Sequence, residues 1–363
     1  MPWSIVLGQC LAIILIAIGL WFRISGRPKA GLPMPESILI LSLLMLVFLS
    51  AVFSGYFKAA TPQFNKSWIL LLFSPLIWFS QYYSPKKVIN ALIWGTALAS
   101  AIGAYRYFTG SVLRATPFSG GYTTLALFDV AALPLAITHF SDKASKYRWF
   151  YILAILIICL GLIGSESRAG WIAALVGVIV VGFKLRKKLV TVVILSVAAL
   201  VIILPGGRHM LRDRFQIDRP GGITSGRTVI WANAREPLSH LPLFGYGPES
   251  FKRLFSPIVL QGVGDPKVNS WHCTPLDLTI ESGPLALLVV LALAVVTIRR
   301  SWRTYYRADD RPLIQLAIFA SLLALYLAAL STNIFRDFML SALTVCLWAL
   351  IFAREPKTPA SIA

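Results

Sequence analysis

Apolar runs of about 20 residues recur along almost the whole chain, and no other feature restricts its fold as much. In a helix, a run of that length crosses roughly 30 Å of hydrocarbon. Lipid offers no water to exposed backbone groups, so such runs fold as spanning helices. Eleven of them lie at about 3–22, 36–57, 68–83, 88–105, 121–140, 149–164, 168–183, 189–205, 275–298, 312–331 and 337–353. The third is short, which suits a little-tilted or partly re-entrant segment. Over 363 residues, 57% are hydrophobic and 13% charged, and a soluble domain of this size needs more polar surface. The expected fold is an all-α, polytopic helical membrane protein with about 11–12 transmembrane helices. It divides into an N-terminal bundle of about eight helices over 1–205, a long polar loop over 206–274 with short helices, and about three helices over 275–363. The first run has no charged leading segment and no clear small-residue cleavage site, so it reads as a retained span.

The net charge of +19 belongs to this topology and not to nucleic acid. One set of alternate connections, including Lys86, Lys87, Lys143, Lys146, Arg299, Arg300 and Arg303, carries 19 basic residues. The opposite short connections carry 6: Lys58, Lys66, Arg106, Arg114, Arg168 and Arg336. The excess of Lys and Arg places the first set in the cytoplasm. The 106–120 loop, Arg168 and the long polar segment then face outward, as does the N-terminus if eleven spans are right. Cys10, Cys159, Cys273 and Cys346 are scattered and form no metal or disulfide pattern. There is no Walker loop, no dinucleotide fingerprint and no nucleophile elbow, so ATP hydrolysis and nicotinamide chemistry find no support. Neither a metal nor a cofactor is expected.

Seven outer or buried polar residues are candidates for chemistry. His272 lies two residues before a helix start at Thr274-Pro275, where Thr274 can cap, Pro275 suits the first turn and Asp277 favours the positive end. That helix is expected to run on into the ninth span. The helix dipole disfavours imidazolium, so His272 reads either as a neutral general base or as an interfacial histidine satisfied by backbone. Arg168 opens the seventh span beside Ala169 and Gly170, either as an anion ligand with room for close approach or as a headgroup anchor. Arg227 starts a loop helix capped by Ser225 and ending before Pro237, with Ile230 and Ala234 on one face. It reads as an anion site or as a solvated arginine. Asp129 lies inside the fifth span, where a carboxylate is functional or paired with an arginine. Asp277 and Glu281 share a helix face and either orient an arginine or meet water, and Arg114 lies in the 106–120 loop.

Four motifs in order, Ser167-Arg168-Ala-Gly-Trp171, Ser225-Gly-Arg227 with Trp231, Leu241-Pro-Leu-Phe-Gly245-Tyr-Gly247-Pro-Glu-Ser-Phe251, and His272 followed by Glu281 and Gly283, resemble the bacterial O-antigen ligase and O-antigen polymerase family. The resemblance implies an inner-membrane glycosyltransferase acting at the periplasmic face. Its donor would be an undecaprenyl-diphosphate-linked glycan, and its acceptor a lipid A-core sugar, another carrier-linked glycan or a protein hydroxyl. The family's two arginines fall on Arg168 and Arg227 and its histidine on His272. Arg114, Asp129 and Glu281 are added as candidate substrate-binding residues. In this scheme the arginines neutralise the leaving diphosphate and His272 takes the acceptor proton, without a metal. Two features depart from the ligases: eleven spans where twelve are usual, and Thr274 where Asn, Ser or Gln is preferred. The competing class is a transporter of lipid-linked glycans, which would need several ionisable residues deep in the spans.

Overall fold

The computed structural model describes residues 3–25, 33–55, 67–79, 84–117, 121–142, 147–185, 227–255, 269–307 and 313–352. All regular elements among them are helices, as an all-α membrane protein requires. The first part contains α1 (Trp3–Ile24), α2 (Met34–Phe53), a 3-10 turn (Trp68–Leu72) with α3 (Phe73–Phe79), α4 (Pro85–Phe108), α5 (Tyr122–Ser141), α6 (Phe150–Gly164) and α7 (Arg168–Gly182). The polar segment supplies α8 (Arg227–Asn233), α9 (Arg235–Ser239) and α10 (Phe251–Leu254). The chain continues as α11 (Thr274–Ser282), α12 (Pro284–Arg307), α13 (Leu313–Ala329) and α14 (Phe338–Leu350). The eighth expected span, 189–205, lies outside the described residues.

Among the described residues, four helices, α2, α4, α5 and α12 over Pro284–Tyr306, are long and apolar enough to cross a membrane. The described part of the third expected span, the turn with α3, runs from Trp68 to Phe79 and is a shorter apolar helix. On α2, Ile40, Leu43, Val47 and Ala51 point into the bundle, while Met34, Ile38, Leu41, Met45, Phe48 and Val52 are exposed. The period of three to four puts one apolar stripe against protein and another against lipid. α5 is the centre of the bundle and is buried along most of its length, with α4, α6, α7 and α13 around it. Small residues allow the close approach. A Cβ on Gly161 would meet Ser100 at 2.5 Å, and one on Gly177 would meet the Pro134 ring at 2.9 Å.

The helix expected to enter the ninth span unbroken is in fact two helices. Gly283 takes φ 85 and separates α11 from α12, so Asp277 and Glu281 stand on a short helix outside the span. The break is imposed by packing, since a Cβ on Gly283 would lie 2.1 Å from the Leu243 carbonyl oxygen. The single helix expected up to Pro237 is likewise two, with Pro237 in the first turn of α9. Its expected cap, Ser225, lies outside the described residues.

Paired contacts identify the two ends of the bundle. At one end Arg300 binds Glu36 at 2.6 Å and Tyr151 donates to Asn90 at 2.8 Å. At the other end Ala115 N–H donates to Gly164 O at 2.7 Å, Thr124 donates to Asp337 at 2.6 Å and Phe53 stacks on Phe244. Every candidate outer residue except Asp129 is found at this second end.

Candidate active site

A small apolar core outside the bundle assembles the polar segment. Ile230, Ala234, Phe251, Phe255, Trp271 and Ile280 are its buried members, and Phe251 meets Trp271 edge-on at 4.9 Å. Ile230 and Ala234 share the buried face of this segment, as their spacing predicts. The Leu241–Phe251 stretch clamps this core onto α11. Tyr246 N–H donates to Ile280 O at 2.8 Å and Gly247 N–H to Glu281 O at 3.0 Å. Gly245 has no room for a side chain, because a Cβ would lie 2.6 Å from the Glu281 backbone. Ser50 of α2 also donates to Glu281 O, fixing the clamp to the bundle.

Arg227 is the first residue of α8, and Trp231 stands one turn later on the same face. Trp231 Nε1 donates to Trp271 O at 2.9 Å, which couples Arg227 to the residue before His272. Burial lowers the Arg227 guanidinium from its ordinary value, Tyr122 raises it, Arg168 and Arg114 lower it, and Cys273 raises it. These fields place three arginines, Tyr122 and the 272–273 turn in one neighbourhood. Arg168 opens α7 behind the Ser167 cap, whose hydroxyl accepts from Gly170 N–H at 3.2 Å, and it lies within electrostatic reach of Arg114. Arg114 sits over the Tyr122 ring at 4.3 Å with its Nε 3.6 Å from Glu166 Oε2. Tyr107 donates to the other Glu166 oxygen at 3.1 Å.

His272 is half-buried at φ 51, Glu166 stands at φ 52 and Glu249 at φ 61. These are the non-glycine residues with left-handed backbone in the described chain, and all three border this end of the bundle. Such conformations persist where surroundings over-determine them, and they concentrate at functional sites. The N-cap of α11 is Cys273, not Thr274 as its sequence position suggests. The Thr274 hydroxyl instead donates to Thr332 O at 2.6 Å and accepts from Ile334 N–H at 3.1 Å.

Two candidates stand apart from the arginine group. Asp129 is fully buried in α5 and accepts from Ser100 at 2.5 Å, so its partner is a hydroxyl and not an arginine. Glu281 is engaged by Arg336, 3.4 Å away, as is Asp277 at 3.5 Å. Arg336 also binds Glu249 at 3.0 Å. Arg336, Glu249, Glu166 and Tyr122 were not read from the sequence as site residues. The one local signal for Arg336 was a lone cation in a short outer connection. No group of three His, Cys, Asp or Glu side chains suited to a metal occurs among the described residues.

Residues 152–291 match the family described as O-antigen ligase. Over this stretch the chain is similar to that family. The stretch contains Arg168, Arg227, His272, Asp277 and Glu281, and it leaves Arg114, Asp129 and Arg336 outside. An uncharacterized protein of Haemophilus influenzae is 25% identical over 272 residues, covering 66% of this chain. The aligned part is 65% of that relative, so the chain spans just under two thirds of its length.

Proposed function

We propose that the protein transfers a glycan from an undecaprenyl-diphosphate carrier to an acceptor hydroxyl at the outer face of a bacterial inner membrane. The observation that carries this reading is the convergence of Arg114, Arg168 and Arg227 beside the loop that bears His272. Three guanidinium groups with Glu166 beside them leave a net positive, partly desolvated surface, and a diphosphate matches their planar donors. As the glycosyl bond breaks, charge develops on the leaving diphosphate, and arginines fixed in advance stabilise it without reorganisation. His272 takes the proton from the attacking hydroxyl. Direct displacement by that hydroxyl inverts the anomeric centre, because no carboxylate is assigned as nucleophile. The acceptor is a lipid A-core sugar, as in a ligase, with a second carrier-linked glycan or a protein hydroxyl as the other acceptors in this chemistry.

Purified protein given a lipid-linked glycan and candidate acceptors tests the reading. Release of undecaprenyl diphosphate with a new glycosidic product is expected, and His272→Ala should lower the rate on the order of 10²–10⁴-fold. Movement of the intact lipid-linked glycan across a bilayer without bond cleavage would make the protein a transporter.

A further inference from the structure

We propose that Arg336 is a positioning residue for His272, acting through Asp277 and the backbone of residues 269–271. The assignment rests on the reading of His272 as the base. His272 sits in a turn that the 332–336 connection grips on both sides. Before it, Arg336 Nη1 donates to Asn269 O at 2.8 Å. Asp277, 3.5 Å from the same nitrogen, accepts the Trp271 N–H at 3.1 Å. After it, Thr274 is fixed to Thr332 and Ile334 through its hydroxyl. The connection is anchored in turn. Asn333 Oδ1 accepts the Arg336 N–H at 3.2 Å, and Asp337 caps α14 and binds Thr124 of α5.

The grip explains the backbone. A histidine at φ 51 returns to an extended or helical conformation unless its neighbours forbid it. Glu249, the second left-handed residue on this side, holds the other nitrogen of the same guanidinium at 3.0 Å. One planar, buried fork thus fixes two left-handed turns, and a lysine has one point of attachment for the same task. This arrangement meets the Arg227 helix through the Trp231–Trp271 bond, which does not involve Arg336 or Asp277, so its loss displaces the proton acceptor and largely spares donor binding.

The test uses the full chain, purified in detergent, with Arg336→Lys, Asp277→Asn, Asp277→Ala and His272→Ala. Titration with undecaprenyl diphosphate gives donor affinity and the number of binding-competent sites, and turnover is expressed per such site. Arg336→Lys and Asp277→Ala should lower turnover on the order of 10²-fold, the effect of a small misplacement of a reacting group. Their affinity for undecaprenyl diphosphate should stay within about twofold. Asp277→Asn should retain about tenfold more turnover than Asp277→Ala, because its amide oxygen still accepts from Trp271 N–H. Unchanged turnover per site in Arg336→Lys and Asp277→Ala overturns the assignment, as does a fall in affinity that parallels turnover, which marks a structural role. If His272→Ala turns over normally, the base reading fails and takes this assignment with it. If His272→Ala is inactive while the Arg336 and Asp277 variants are normal, only the present assignment fails.

Discussion

Trp231 donates its indole N–H to the carbonyl of Trp271 at 2.9 Å, joining the helix that carries Arg227 to the turn that carries His272. Arg227 and Trp231 are one helical turn apart, and Trp271 precedes His272 directly. Under the proposed function this sets charge neutralisation and proton transfer in one frame, although 40 residues separate the two tryptophans.

Trp231→Phe keeps the ring packing and deletes the donor. The Trp271 carbonyl loses a partner, at a cost of about 1–3 kcal/mol to the small outer core. The variant should still accumulate in the membrane, while glycan transfer per molecule falls about tenfold through misplacement of Arg227 against His272. Trp302→Phe, an exposed position at the opposite end of α12, is the control and should transfer normally. Equal rates for the two variants would show that the indole bond does not set the catalytic geometry.

The all-α membrane fold was legible in the sequence because hydropathy is a local pattern, and the motifs around Arg168, Arg227 and His272 are local as well. What was not legible depends on distant partners. Asp277 and Glu281 announced a shared helix face, yet Arg336, which occupies it, comes 59 residues after Asp277 and leaves no spacing to read. Thr274 looked like a cap because Ser and Thr favour that position, but a buried hydroxyl facing Thr332 and Ile334 serves the tertiary contact instead. The break at Gly283 was hidden for the same reason. A glycine before a proline inside an apolar stretch permits a kink, and only the carbonyl of Leu243 makes it obligatory.

Gly283→Ala tests that obligation. The added Cβ would lie 2.1 Å from a backbone oxygen, at φ 85, so neither rotation nor a flexible neighbour relieves it. The expected loss is at least about 2 kcal/mol, read as a lower unfolding temperature in detergent and faster proteolysis of the outer segment. Gly95→Ala is the counterpart. It lies in α4 with nothing within 4 Å of the new Cβ, and it should stabilise by up to about 1 kcal/mol.

Glu166 is the resident anion beside the arginines, 3.6 Å from Arg114 Nε. Glu166→Gln removes its competing charge while keeping an acceptor for Tyr107. Affinity for undecaprenyl diphosphate should rise about threefold, the scale of a partly exposed ion pair, and Arg114→Ala should weaken it. Both shifts should shrink as salt is raised. A fall in affinity for Glu166→Gln would instead mean that Glu166 aims Arg114 at the donor.

Glu281 makes the stability of the fold depend on pH. Burial raises its carboxyl from 4.5 to about 8, while Arg336 lowers it and Asp277 and Glu249 raise it again. The folded chain therefore keeps this proton up to about pH 8, whereas the unfolded chain releases it near 4.5. Between those values the native state binds more protons than the unfolded state, so stability falls as pH rises through the window. Asp277, also raised by burial, adds to the slope in its lower part. Unfolding temperature measured in detergent from about pH 5 to about pH 9 should decline and then level off above the Glu281 value. Glu281→Gln, neutral at every pH, should remove most of the decline while keeping the backbone contacts of residue 281 with Ser50 and Gly247. A decline of full size in that variant would mean that Arg336 holds Glu281 ionised, and that three carboxylates share one guanidinium without a proton among them.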